Sequence, residues 1–242
     1  PTQEALAAKG YRTIAFDMPP MGYSFRDPKG DYSRETQASR LLALVRALKV
    51  RPVLVAHSFG AGAGAEAAMR EPAAFAGLVV VSGDVGLDGH LNGKTLPWPM
   101  DNPFAREVAV SATVTNPAAT GFLVKRLLHR KEAATEDMLA MLNRPGNRPG
   151  TTAAIASWLP SLLVPPKDAL STRPESWQAL TLPVAFIWGD MDNAAPLSQG
   201  ERLAGLAGGP LTVLKDVGHI PQIEAPGDFQ QALLASLATL AP

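Results

Sequence analysis

The stretch "VLVAHSFGAGAG", from Val53 to Gly64, constrains the fold of this chain more than any other. Its apolar, β-branched start predicts a buried strand. The small residues that follow favour a helix, and Gly60 and Gly62 are expected to let the start of that helix approach the sheet. A serine at so sharp a strand-to-helix turn presents its hydroxyl from a strained backbone, as a nucleophile requires. The first hypothesis is therefore that Ser58 is a nucleophile with the positive end of a helix dipole beneath it.

Strands and helices alternate along the rest of the chain. Further strands are predicted in "YRTIAFD", "FAGLVVVSG", "LPVAFIWGD" and "LTVLKDVGH", and helical spacing of apolar residues predicts a helix from Glu35 to Val50. The continuous apolar runs are typical of parallel strands covered on both faces. The class is therefore α/β, with a mostly parallel central sheet flanked by helices.

The middle of the chain has a different character. Between residues 88 and 177, prolines separate short helix-like pieces, such as Thr120 to Arg130 and Thr135 to Leu142. We expect a helical insertion at 88–177 in a core made of 1–87 and 178–242.

The segment around the serine resembles a known family. Ala56-His57-Ser58-Phe59-Gly60 is similar to the Gly-x-Ser-x-Gly elbow of the α/β-hydrolase family, with Ala56 in place of the first glycine. The stretch "ALAAKGYRTIAFDMPPMGYS" resembles the helix, strand and loop that precede the elbow. The resemblance implies a serine hydrolase in which the helical insertion is a cap over the site.

A serine nucleophile needs a base, and the chain has four histidines. The segment Gly218-His219-Ile220-Pro221 resembles the family's Gly-His-x-Pro segment, which implies that His219 is the base. His57 is expected to pack under the nucleophile. His90 and His129 lie in the insertion, where surface or cap roles are expected.

The base in turn needs an orienting carboxylate. In "IWGDMDNAAP" the family pattern matches Asp192, with Asp190 as a loop cap, and Asp84 after another strand is the alternative acid. The order Ser58, Asp192, His219 is the order that the family uses.

The resemblance also implies an oxyanion hole. One donor is the backbone N–H of Phe59, and the other belongs to a His-Gly segment that this sequence lacks before Ser58. In the family the strand carrying that segment lies between the strands matching 11–17 and 52–57. We therefore expect an N-terminal segment of the same protein that is missing from this chain or present as a separate piece.

Composition narrows the ligand class. Lysine plus arginine equal aspartate plus glutamate at 22 each, which favours neither nucleic acid nor an anionic membrane as a partner. With no cysteine and scattered histidines we expect no metal site, and "GAGAG" lacks the register of a dinucleotide fingerprint, so no cofactor is expected. No apolar run is long enough to span a bilayer, so the sequence predicts a soluble, cytoplasmic protein, although a targeting signal could lie upstream.

The expected substrate is a small ester-like molecule. The predicted reaction is cleavage of small carboxylic esters through an acyl-enzyme on Ser58, with a carbon–carbon bond hydrolase, a cofactor-free perhydrolase or a non-catalytic binding protein as alternatives. Apolar residues of the insertion are expected to line the pocket or the cap core, namely Trp98, Phe104, Phe122, Leu123, Met138, Met141, Trp158 and Trp177.

Overall fold

The computed structural model of the protein describes residues 2–87, 95–164 and 168–240. Within these residues a parallel sheet has the order β1 (Val53–His57), β2 (Gly77–Val81), β3 (Val184–Gly189) and β4 (Leu211–Leu214). Helices cover both faces of this sheet, so the predicted α/β class is confirmed.

The helices of the described residues follow in chain order. They are α1 (Thr2–Ala7), α2 (Arg34–Leu48), α3 (Phe59–Arg70), α4 (Pro103–Ala112), α5 (Pro117–Leu127), α6 (Glu136–Asn143), α7 (Thr151–Leu163), α8 (Pro174–Gln178), α9 (Leu197–Ala207), α10 (Pro221–Glu224) and α11 (Pro226–Leu240). None of these helices is long and apolar enough to cross a membrane.

Two hydrophobic layers enclose the sheet. Alternate residues of the central strands, such as Val80 and Phe186, pack with α2, α3 and α9 on one face. Their neighbours, such as Val81 and Ile187, pack with α1 and α11 on the other. Both faces of β2 and β3 are therefore buried, which explains why these two strands are apolar at every position.

The glycines after Ser58 allow α3 to lie close to its surroundings, but not in the way that the sequence suggests. A Cβ at Gly64 would lie 2.9 Å from the Cβ of Ala56, and one at Gly62 would lie 2.7 Å from the guanidinium carbon of Arg34. The nearest atom to a Cβ at Gly60 is 3.9 Å away. Close approach of helix to strand therefore depends on Gly64, rather than on Gly60 and Gly62 as predicted.

The predicted strand at 11–17 is not formed. Tyr11 packs against the same hydrophobic cluster as Val53 of β1, and the side chain of Met18 lies 3.9 Å from where a Cβ at Gly60 would be. The segment has no ladder with β1, which is an edge strand of the described sheet. A strand needs a hydrogen-bonded neighbour, and the prediction was wrong because local sequence does not supply one. The preceding segment expected beside these residues stays a prediction.

A helical insertion, whose described part is residues 95–164, separates β2 from β3. The predicted helices near 120–130 and 135–142 correspond to α5 and α6, whereas α4 and α7 were not predicted. Trp177, grouped with the insertion by sequence, is instead fully buried in the main core beside Phe186, with ring centroids 6.1 Å apart. The division into core and cap stays a prediction, and its boundary at residue 88 lies outside the described residues.

Candidate active site

Ser58 occupies a strained turn between β1 and α3. Its φ of 52° and ψ of −128° lie where side chains other than glycine are rarely found. The turn is held by hydrogen bonds, because Ser58 N donates to Val81 O at 3.0 Å and Ser58 O accepts from the backbone N–H groups of Ala61 and Asp84, each at 3.0 Å. The fold therefore holds the Ser58 hydroxyl at the carboxyl end of the sheet.

His219 and Asp192 complete a chain of hydrogen bonds from Ser58. Ser58 Oγ lies 2.7 Å from His219 Nε2, and His219 Nδ1 lies 3.0 Å from both carboxylate oxygens of Asp192. An ionised carboxylate only accepts, so Nδ1 carries the proton and Nε2 is free to accept the Ser58 proton. The structure thus brings together the three side chains that the sequence nominated as nucleophile, base and acid.

The Asp192 carboxylate is fixed from two sides. Its Oδ1 also accepts from the backbone N–H groups of Ala194 and Ala195, each at 2.9 Å. Asp192 and His219 are both buried, at 7% and 5% exposure. A buried, fully hydrogen-bonded carboxylate holds the imidazole in one tautomer and stabilises its cationic form during proton transfer.

His57 supports the backbone of His219 from below. Its Nε2 donates to His219 O at 2.8 Å, and its Nδ1 lies 3.4 Å from Gln222 Nε2. Burial lowers the pKa of His57 from 6.5 to about 4, more than the His219 carbonyl raises it. His57 is therefore neutral at physiological pH and supports the His219 carbonyl, while its expected place under the nucleophile stays a prediction.

The other candidates lie apart from this chain of hydrogen bonds. Asp190 Oδ1 accepts from Val217 N at 3.3 Å, a loop contact, and Asp84 contributes its backbone N–H to the Ser58 turn. The His129 side chain is exposed on the insertion. His90 lies outside the described residues.

Phe59 is the first residue of α3, so its N–H belongs to the group that the helix itself leaves unpaired. This N–H belongs to the residue that directly follows Ser58, and its role as an oxyanion donor stays a prediction. The Phe59 ring packs edge-to-face on Trp158 of α7, with centroids 4.9 Å apart. The insertion therefore contacts the residue that follows Ser58.

The expected pocket-lining residues of the insertion differ in their surroundings. Trp158 is buried at 9% exposure, whereas Trp98, Phe104, Phe122 and Met141 are exposed. Trp158 thus provides an apolar contact from the insertion to the elbow, through the ring of Phe59.

Two contacts to the His219 loop were not predicted. Leu127 O, in the insertion, accepts from His219 N at 3.0 Å, and the buried carboxylate of Glu224 accepts from Gly218 N at 3.0 Å. The one sequence signal was that Glu224 is the only acidic residue of "HIPQIEAP".

A family comparison fits this geometry. The model of the alpha/beta hydrolase fold family matches residues 2–226. The chain belongs to the alpha/beta hydrolase family. In this member of the family, Ser58 stands at the turn between β1 and α3, and α4 to α7 lie between β2 and β3 along the chain. In the described residues of this hydrolase, no group of three or more His, Asp or Glu side chains could hold a metal ion.

Relatives of known name are distant. The hydrolase is 26% identical over 229 residues to the 2-hydroxymuconate semialdehyde hydrolase of Pseudomonas sp. strain CF600, covering 92% of this chain and 75% of the relative. It is 26% identical over 239 residues to a 2-hydroxy-6-oxononadienedioate/2-hydroxy-6-oxononatrienedioate hydrolase of Klebsiella pneumoniae, covering 97% and 79%. The structure of the meta-cleavage product hydrolase CumD of Pseudomonas fluorescens superposes with a TM-score of 0.79 at 22% identity, covering 98% and 83%, and shares the fold.

Proposed function

We propose that this chain is a serine hydrolase that cleaves a carbon–carbon bond beside a ketone in a 2-hydroxy-6-oxo-dienoate. The observation that carries the proposal is the hydrogen-bonded chain from Ser58 Oγ through His219 to Asp192 at a strained elbow. The names of two relatives, each 26% identical, support this substrate class over an ester.

The geometry suggests how the residues divide the work. Ser58 Oγ attacks the ketone carbon while His219 Nε2 takes its proton, and the developing oxyanion faces the Phe59 N–H. For the carbon–carbon bond to break, the dienol first shifts its 2-hydroxyl proton to the carbon beside the ketone, which converts it to an enone. The electron pair of the broken bond then passes into this enone as a dienolate, and the dienolate oxygen takes the proton from His219. A water, deprotonated by His219, releases the acid and regenerates Ser58.

Hydrolysis of a small carboxylic ester is the second candidate. The same hydrogen-bonded chain serves both reactions, because only the leaving atom changes from carbon to oxygen. A perhydrolase, in which hydrogen peroxide replaces water in the second step, would also use these three residues. The rival from another class is a binding protein that keeps the pocket without turnover, since Ala56 replaces a motif glycine.

Labelling with a fluorophosphonate separates the hydrolase from the binding protein. We expect one adduct per chain on Ser58, lost in Ser58→Ala and kept in Ser82→Ala. Ser82 is a matched control, because it directly follows the neighbouring strand β2, has a φ of 41° and has a buried hydroxyl without a hydrogen-bond partner among the described residues. No adduct on the folded wild-type protein would favour the binding protein.

A substrate panel separates the reactions. Decay of the visible absorbance of a 2-hydroxy-6-oxo-dienoate is expected to be faster, in kcat/KM, than hydrolysis of p-nitrophenyl esters from acetate to octanoate. Faster ester hydrolysis with no dienoate decay would replace the first candidate by the second. Peroxide-dependent formation of a peracid, without either hydrolysis, would favour the perhydrolase.

A further inference from the structure

A buried carboxylate with no catalytic assignment lies behind His219. Glu224 ends α10 at 6% exposure, and no arginine or lysine side chain of the described residues pairs with it. Instead its oxygens accept four backbone N–H groups, from His129 at 2.8 Å, Arg130 at 2.9 Å, Gly218 at 3.0 Å and Ile220 at 3.3 Å. Backbone donors of this kind stabilise an ionised carboxylate and are stronger than bonds to a neutral group.

The four donors come from two separate parts of the chain. Gly218 and Ile220 flank His219, whereas His129 and Arg130 follow α5 in the helical insertion. One carboxylate thus holds the insertion and the histidine loop together. Removing it would leave four inward-facing N–H groups without their acceptor, which is costly where water is excluded.

Other contacts between the same two parts reinforce this connection. His219 N donates to Leu127 O at 3.0 Å, and the Arg130 guanidinium donates to Asp216 O at 3.0 Å. Gly218 lies so close to the insertion that a Cβ there would be 2.6 Å from His129 N. The backbone of the base is therefore bonded directly to the insertion.

The loop that carries the acid is joined to the same place. Asn193, next to Asp192, donates from Nδ2 to Arg126 O at 2.8 Å. The stretch 126–130 of the insertion consequently contacts the loops of both Asp192 and His219. A displacement of this stretch would move His219 relative to Ser58, from which Nε2 is 2.7 Å.

We propose that Glu224 is a positioning residue that locks residues 126–130 of the insertion onto the His219 loop, so that the base is correctly placed only when the insertion is seated. This inference rests on the proposed role of Ser58 as nucleophile. It assigns Glu224 no contact with substrate. Its effect on chemistry comes through the position of His219, where a shift of about 1 Å can lower the rate about a hundredfold.

The first test measures the reactivity of Ser58 toward a fluorophosphonate in the whole chain. Glu224→Gln keeps the length of the side chain but replaces an accepting oxygen with a donating amide, which opposes the backbone N–H groups. We expect the maximal labelling rate to fall tenfold or more, while the probe concentration at half-maximal rate changes less than twofold. Glu224→Asp keeps the charge but shortens the side chain, and we expect its maximal labelling rate to lie between those of Glu224→Gln and wild type.

Two controls separate positioning from loss of stability. Glu201→Gln makes the same change on the exposed surface of α9 and should label like wild type. Leu203→Ala removes a fully buried side chain of the main core and provides a destabilised protein in which Glu224 is intact. If Glu224→Gln labels as fast per folded molecule as Leu203→Ala, the proposal is overturned.

The second test reads the connection without using reactivity. Hydrogen exchange of the amides of His129, Arg130, Gly218 and Ile220 is expected to accelerate together in Glu224→Gln, and not in Leu203→Ala at a temperature where both remain folded. Unchanged exchange in either segment would overturn the proposal. An unlabelled wild type would instead contradict the role of Ser58, and the exchange result would still decide whether Glu224 joins the two segments.

Discussion

At the scale of single residues, the site is determined by hydrogen bonds whose donors and acceptors cannot be exchanged. The Asp192 carboxylate takes two backbone N–H groups and the His219 Nδ1 proton, so the imidazole has one tautomer available for Ser58. An amide in place of this carboxylate could donate to Nδ1 and would stabilise the opposite tautomer.

We therefore expect Asp192→Asn to lower the maximal rate of Ser58 labelling by about 10³–10⁴, as expected for loss of the orienting acid. The matched control is Asp84→Asn, at the position that the sequence offered as the alternative acid, and it should label within about threefold of wild type. The assignment of the acid would be reversed if Asp84→Asn were the inactive variant and Asp192→Asn were active.

His57 makes stability depend on pH. Because burial lowers its pKa to about 4 from 6.5, the unfolded chain binds a proton at this position between those pH values and the folded chain does not. The free energy of unfolding should therefore fall as pH decreases from 6.5 to about 4. The loss attributable to His57 is on the order of 3 kcal/mol.

In His57→Gln this loss should disappear, because the amide can still donate to the His219 carbonyl but does not bind a proton. Urea unfolding at a series of pH values from 6.5 to 4 gives the free energy of unfolding of each protein, and the slope of this free energy against pH is compared between variant and wild type. His129→Gln, at an exposed position, should keep the wild-type slope. Parallel slopes for wild type and His57→Gln would contradict the lowered pKa.

At the scale of elements, the approach of α3 to β1 determines where Ser58 stands. A Cβ at Gly64 would lie 2.9 Å from the Ala56 Cβ and 3.2 Å from Leu54 Cδ2. The alanine that replaces the first glycine of the elbow motif is thus accommodated by a glycine on the opposing helix. Ala56 in the motif and Gly64 in α3 therefore form a matched pair, because only one of the two positions has room for a Cβ.

Gly64→Ala should destabilise the protein by about 1–3 kcal/mol, because the helix and strand must separate. In the double variant Ala56→Gly with Gly64→Ala, the methyl moves from strand to helix and part of the loss should be recovered. Thermal unfolding of the two single variants and the double variant gives the coupling energy. An additive double variant would mean that these two positions do not touch.

The control for helix propensity is Gly205→Ala in α9, where nothing lies within 4 Å of the new Cβ. There we expect stabilisation by about 0.5–1 kcal/mol, since alanine is the better helix former and meets no obstacle.

At the scale of the whole molecule, features set by local pattern could be predicted from sequence, and features set by distant partners could not. The four strands of the sheet follow from apolar runs. Ser58, Asp192 and His219 were identified because their segments, each after a predicted strand, resemble motifs of the alpha/beta hydrolase family. The segment 11–17 has strand-like residues but no neighbouring strand. Glu224 bonds to His129, 95 positions away, and no local pattern marks such a pair. In the insertion, α7 was not predicted because it contains Pro160, and a proline inside a sequence segment usually indicates that a helix ends there.

The unpaired edge of β1 has a consequence for how the molecule behaves at high concentration. Val55 of β1 is 40% exposed, and the segment 11–17 exposes Ile14 and Phe16 at 45% and 41%. A flat apolar edge with free backbone groups is a template for strand addition between copies, and natural proteins protect such edges with lysine. Residues 1–242 on their own are therefore expected to self-associate as their concentration rises, whereas the preceding segment expected beside β1 would cover this edge.

Val55→Lys should lower this association, seen as reduced light scattering over a concentration series at unchanged melting temperature. Val213→Lys makes the same change on β4, the opposite edge strand of the described sheet, where Val213 is 45% exposed. If light scattering fell in Val213→Lys and not in Val55→Lys, the strand that mediates association would be β4 rather than β1. With β1 as the template, the tendency of the chain to associate is set by the strand that leads directly into Ser58.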